Sequence, residues 1–275
     1  TGKIVNAMKE LEKILPEVKD PVQRDLFKMV LAITSNNQAV QLNLTYALRE
    51  YRNYLNKGIF NENFVGGGQA QSAMRKHFAY LNAIQKDLGL NGMMDMLTTK
   101  YVTRDLERIG KKYFGDKFSV SELQDTKVYG STIFGSKIGN GFFPNLLGDH
   151  NALTMDMWFM RSIGRIRGNL LERNYLPNLK KFRQELLDRG SAKYHEYGLK
   201  REDIIKENEE KLLTAANDIR KASQRRKFVG DTQLDRDAKA LVKNYKNVID
   251  SPRNGTERQN NRKIMQDVSK KTGFK

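Results

Sequence analysis

The chain has 275 residues, 39% hydrophobic and 29% charged, a balance of globular rather than disordered polypeptides and long enough for one large domain or two lobes. It contains no cysteine, which excludes disulfides, thiolate zinc sites, iron–sulfur clusters and cysteine nucleophiles. Its 49 Lys and Arg against 32 Asp and Glu leave a net charge of +17. That surplus favours a polyanion such as nucleic acid, and a membrane surface less so, because the basic stretches lack an aromatic apolar face.

No apolar run approaches the roughly 20 residues of a bilayer span, and no signal-peptide pattern opens the chain. A start on Thr1 is expected of a processed or trimmed polypeptide. An intracellular, monomeric protein that does not engage membranes is the expectation.

Most of the chain reads as helix. Ile4, Val5, Met8, Leu11 and Leu15 form a helical stripe over residues 3–15 that stops at Pro16. Pro21 opens a second helix through Leu26, Met29, Val30 and Ile33, interrupted at Asn36-Asn37. A third follows through Val40, Leu44, Ala47, Tyr51 and Leu55 and ends near Gly58. Gly66-Gly67-Gly68 lacks the Gly-Lys-Ser/Thr of a phosphate loop and reads as a connector. Helices are predicted from Met74 to Gly89 and over 93–113, and Ser119 with Glu122 has the spacing of a capping box. Gly190–Gly198 reads as a hinge before a polar helical tail, whose basic clusters are Gln224-Arg225-Arg226-Lys227 and Arg258–Lys263. Alternating strand patterns are nearly absent, so the predicted class is all-α.

The segment Val128–Ile166 concentrates the chemistry. Gly135-Ser136-Lys137 leads an apolar run to Leu147, and Met155-Asp156-Met157-Trp158 opens a second. A lysine amine is a nucleophile once it gives up its proton, and a carboxylate can steady a developing cation. On these residues the segment resembles the helix-hairpin-helix superfamily of DNA glycosylases and AP lyases, whose hairpin ends in Gly-x-Lys and whose catalytic Asp follows at a similar interval. Leu31–Asn43 resembles the family's leucine-rich helix end followed by a polar wedge, and the alignable part is residues ~25–170. The phrasing FGSKIG, NLLGD and LTMDMWFMR is also similar to glycosylase-like domains of phage and mobile-element proteins, as is the tail from Glu257 to Gly273.

The resemblance implies a two-lobed helical fold with a DNA cleft between lobes: residues 25–154 as one lobe, and 1–24 plus 155–275 as the other. It implies duplex DNA as partner, Lys137 as Schiff-base nucleophile and Asp156 as its electrostatic partner, excising a damaged or modified base. Ser131, Thr132, Gly135, Ser136 and Gly139 would grip phosphate, Asn37 and Gln38 would fill the gap left by the base, and Arg161 and Arg165 would contact the backbone. No cofactor is implied, with room for a monovalent cation at the hairpin, and His77, His150 and His195 lack metal-ligand spacing.

The sequence departs from the family at three points. Ile133 stands where the hairpin's first glycine falls, Pro144 interrupts the helix after the lysine, and the cluster-binding cysteines are missing. Plainer readings stand beside the catalytic ones: Lys137 as a phosphate-binding lysine, and Asp156 as a carboxylate favoured at a helix start. The alternative function is a catalytically inactive relative that binds DNA or sits inside a virion.

Overall fold

A computed structural model describes residues 9–36, 38–168, 175–225, 232–245 and 250–273. Of the sequence readings, the stripe residues Ile4, Val5 and Met8, the wedge candidate Asn37, and Arg226 and Lys227 of a basic cluster lie outside the described residues. The chain is 74% helix and 2% strand, so it is all-α. The described residues form two compact units, one of the chain up to Asp156 with the stretch from Pro252 on, the other Met157–Ser251.

In the first unit α1 covers residues 9–14 and stops at Leu15, before the 3₁₀ turn Pro16–Lys19. Helix α2 (Pro21–Thr34) begins with proline, whose missing N–H is harmless there, and the Asp20 carboxylate accepts from the Gln23 N–H at 2.9 Å. Helix α3 (Val40–Lys57) ends on left-handed Gly58. Helix α4 (Gln71–Thr98) changes direction at Gly89 and continues for two further turns. The predicted helix over 93–113 is therefore divided: its start completes α4, strand β1 (Lys100–Val102) intervenes, and α5 (Thr103–Phe114) follows. Strand β2 (Lys127–Tyr129) pairs antiparallel with β1, Tyr101 opposite Val128.

The predicted capping box at Ser119 forms no helix. Glu122 instead turns inward, its side chain 1% exposed, and takes a bidentate pair from Arg262 at 2.9 and 2.7 Å. Arg262 lies on α13 (Gly255–Thr272), so that pair ties the C-terminal helix to the first unit. Leu15, Val18, Leu26, Met29, Tyr51, Phe60, Phe78 and Phe143 are buried in one core cluster.

The second unit comprises α7 (Met157–Ile166), α8 (Leu176–Asp188), α9 (Ser191–Glu196), α10 (Arg201–Ile205), α11 (Glu209–Arg225) and α12 (Gln233–Tyr245); α6 (Phe143–Leu147) belongs to the first. Leu179, Phe182, Leu186, Ile204, Leu212, Ile219, Leu234 and Leu241 make its core. The predicted hinge at Gly190–Gly198 is helix α9, with Tyr194 buried in that core.

The expected division, 25–154 against 1–24 plus 155–275, is thus corrected at both ends. Leu15 and Val18 join the core of α2–α4 because so short a stretch buries too little apolar surface to stand alone. The polar α13 joins through charge rather than an apolar stripe, which hydrophobic periodicity does not register.

Candidate functional site

Strand β2 runs directly into a 3₁₀ turn, Gly130–Phe134. Gly130 is needed for close approach, since a Cβ on it would sit 2.0 Å from the Met96 carbonyl oxygen. Gly135, at φ +94°, turns the chain, and residues 136–147 then form one helix.

The middle of that helix, Ile138–Phe142, is a π-helix, and Pro144 explains it. Proline has no N–H to donate and its ring clashes with the carbonyl four residues back, so a regular α-turn is excluded. The chain widens by one residue, and the Phe143 N–H donates to the Ile138 carbonyl, five back. In that register the Gly139 carbonyl would need the absent N–H of Pro144. The Ser131 hydroxyl supplies it instead, donating to the Gly139 oxygen at 2.5 Å. A Cβ on Gly139 would lie 1.6 Å from the Ser131 carbonyl oxygen, so only glycine admits this contact.

Lys137 opens this π-bulged helix, half-buried and making no ion pair among the described residues. After left-handed Gly148 the chain returns across the same helix. A Cβ on Gly141 would stand 2.9 Å from the Thr154 Cα, and the Asn145 amide donates to the Thr154 hydroxyl at 2.9 Å. Asp156 lies two residues beyond Thr154, half-buried, directly before the first residue of α7. Lys137 lies one turn before Gly141, about 6 Å along a helix axis. Amine and carboxylate therefore occupy two successive helix starts whose chain segments touch at Gly141 and Thr154.

The other predicted site residues are distributed differently. Ser131, Thr132, Ser136 and Gly139 are buried, the three side chains 0%, 1% and 6% exposed, and cannot grip a phosphate as an exposed hairpin would. Their burial follows from the tight 3₁₀ turn lying against the π-bulge. The amides of Gly135 and Gly139 are spent on the Thr132 and Gly135 carbonyls, and Gly135 alone of the five is exposed. Gln38 donates to the carbonyls of Asn36 and Gly67, both at 3.1 Å, which ties the glycine loop to the end of α2 and keeps the amide from acting as a free wedge. In the second unit Arg161 is paired with Asp250 at 2.9 Å and lies over the Trp158 ring, whereas Arg165 is exposed.

Two features escaped the sequence reading. Tyr129 donates to Asp149 at 2.6 Å while Lys100 approaches the same carboxylate at 3.5 Å and the Tyr129 ring at 4.5 Å. The Tyr129 hydrogen bond, with lesser help from Lys100, holds the Asp149 carboxyl below the usual range. This group clamps the end of the Lys137 helix to the ribbon, and no local motif links residues so far apart in the chain. The second is a cleft of about 400 Å³ lined by residues of α4, α5, the following loop and the 3₁₀ turn, among them His77, Tyr80, Lys117, Thr132 and Gly135. Burial, reinforced by the neighbouring Lys76 charge, pushes the His77 imidazole down to about 4, so the ring is neutral near pH 7.

No protein-family model matches this sequence, and comparison with curated proteins and with solved structures yields no match. Among the described residues no three His, Asp or Glu side chains are grouped to hold a metal ion, and no helix is long and apolar enough to cross a membrane. What the chain offers chemically is a primary amine that opens one helix and a carboxylate directly before the next in sequence, in a chain of high positive charge.

Proposed function

We propose that the protein is a DNA glycosylase with AP-lyase activity, acting on a damaged or modified base in duplex DNA. The observation that carries this reading is the contact of Gly141 with Thr154, which sets the segment bearing Asp156 across the helix that Lys137 opens. The free amine of Lys137 attacks C1′ of the nucleotide, and the glycosidic bond breaks as the base leaves with its electron pair and takes up a proton. Opening of the sugar ring then yields an iminium ion, which Asp156 stabilises. Loss of a proton from C2′ expels the 3′ phosphate by β-elimination, and water releases the lysine.

Borohydride reduces the imine to a stable amine, so incubation with abasic-site DNA leaves a covalent adduct. Lys137→Ala abolishes that adduct entirely while salt-dependent duplex binding persists. The net charge of +17, which needs no nucleophile to attract phosphates, favours a second reading, a DNA-binding protein without chemistry. Under that reading the unmodified chain binds duplex at low salt but forms no adduct. Failure to bind duplex at low salt refutes both.

A further inference from the structure

The cleft beside the 3₁₀ turn has no part in the Lys137 chemistry, yet its lining is specific. Thr132 is 1% exposed, and its hydroxyl oxygen is enclosed without a hydrogen-bond partner among the described residues. The same holds for Nδ1 of His77, whose ring is held edge-on to Phe134 at 5.5 Å. A buried polar atom left unpaired costs about 1–3 kcal/mol, so two beside one cleft point to a ligand that completes them. Neutral imidazole and a hydroxyl each donate or accept, which matches a ring edge carrying both kinds of group rather than a bare anion.

The walls and charge narrow the ligand further. Tyr80 and Phe114 are stacked with centroids 3.4 Å apart, and Phe118 extends the aromatic surface on which a flat ring can lie. Lys76 and Lys117 are exposed among the lining residues, where no Asp or Glu is present, so the site takes an anion. Its size, about 400 Å³, falls within the roughly 300–1,000 Å³ of small-molecule sites. We infer that this cleft is a nucleotide-binding site: the Thr132 hydroxyl and His77 Nδ1 take the base edge, the aromatic wall its face, and Lys76 and Lys117 the phosphate. The ligand is a free nucleoside monophosphate or one nucleotide of a strand, and the inference stands apart from the proposed nucleophile.

Calorimetric titration with the four deoxynucleoside 5′-monophosphates, their nucleosides and inorganic phosphate tests this. At least one monophosphate is expected to bind saturably and at least tenfold tighter than inorganic phosphate. Thr132→Val, which removes the hydroxyl at nearly constant volume, weakens nucleotide and nucleoside alike by about tenfold. Lys117→Ala weakens the monophosphate alone. Lys137→Ala retains nucleotide binding, which separates this site from the adduct chemistry. A single-stranded oligonucleotide that competes identifies a strand as the source, and one that does not identifies the free nucleotide. The inference is overturned if no monophosphate binds at millimolar concentration, or if phosphate binds as tightly. Unchanged affinity in Thr132→Val protein with an unaltered melting profile, or loss of binding in Lys137→Ala, overturns it equally.

Discussion

The unit that carries Lys137 and the unit spanning Met157–Ser251 are both helical, yet they treat polar groups in opposite ways. In the second, buried Asp235 is satisfied locally by the Thr232 amide and hydroxyl at 2.9 and 2.8 Å. Several charges there pair within one helical turn, as Arg189 does with Glu185 and Lys193 with Glu196, while Arg161 reaches Asp250 from a distance on the exposed surface. Such exposed pairs contribute little, about 0–1 kcal/mol each, and leave stability to the apolar core. The first unit instead contains a π-bulge, an ion pair between residues 140 apart in sequence, and enclosed atoms of Glu50, His77, Thr132 and Ser136 that have no partner among the described residues. Proteins keep such locally costly features where they bind or react, so the contrast directs attention to the first unit.

The largest test of that contrast after the Lys137 adduct is the Glu122–Arg262 pair. Arg262→Ala strands the buried Glu122 carboxylate and should destabilise the first unit by about 3–5 kcal/mol in a denaturant titration. Protease susceptibility within α13 should appear at the same time. Arg189→Ala in the second unit should change stability by less than about 1 kcal/mol, and comparable losses at the two sites would dissolve the distinction.

The His77 prediction is next in size. Its folded pKa of about 4 lies below the ordinary 6.5, so between those values the unfolded chain binds a proton that the folded one refuses. The stabilisation is complete above about pH 6.5 and is lost as pH falls toward 4, amounting to on the order of 3 kcal/mol. Thermal melts across that window should show the decline, and His77→Gln should flatten it.

Ser131→Ala removes the hydroxyl that donates to the Gly139 carbonyl, with an expected loss of about 1–3 kcal/mol. If the variant melts like the parent, the π-bulge satisfies itself and the account of Pro144 is wrong. The smallest effect belongs to exposed Arg165. Its replacement by Ala should leave stability within about 0.5 kcal/mol and, if it meets a phosphate, reduce the salt slope of duplex binding by about 1.

Much of the helical architecture was legible in the residues. Pro21, Leu26, Met29 and Ile33 repeat at helical spacing, and α2 and α3 lie where that spacing and Gly58 put them. The β1–β2 ribbon was not, because three-residue strands show too little alternation to register. Ser119 and Glu122 have the local grammar of a helix cap, but a distant arginine outcompeted it for the carboxylate. Around the candidate site, the Lys137 and Asp156 pair stood out through the residues that resemble the glycosylase pattern. The hydroxyls beside it look like phosphate ligands until burial shows where they point.

What the linear chain determined on its own is its helical class, its positive charge and the punctuation of its helices. These follow from periodicity, composition and caps, all of which act within a few residues. Only the tertiary structure decided that Ser131 serves a carbonyl orphaned by Pro144, that Arg262 reaches Glu122, and that His77 and Thr132 line one cleft. Each of those outcomes depends on desolvation and hydrogen-bond satisfaction between residues remote in sequence, which come into being when the core closes.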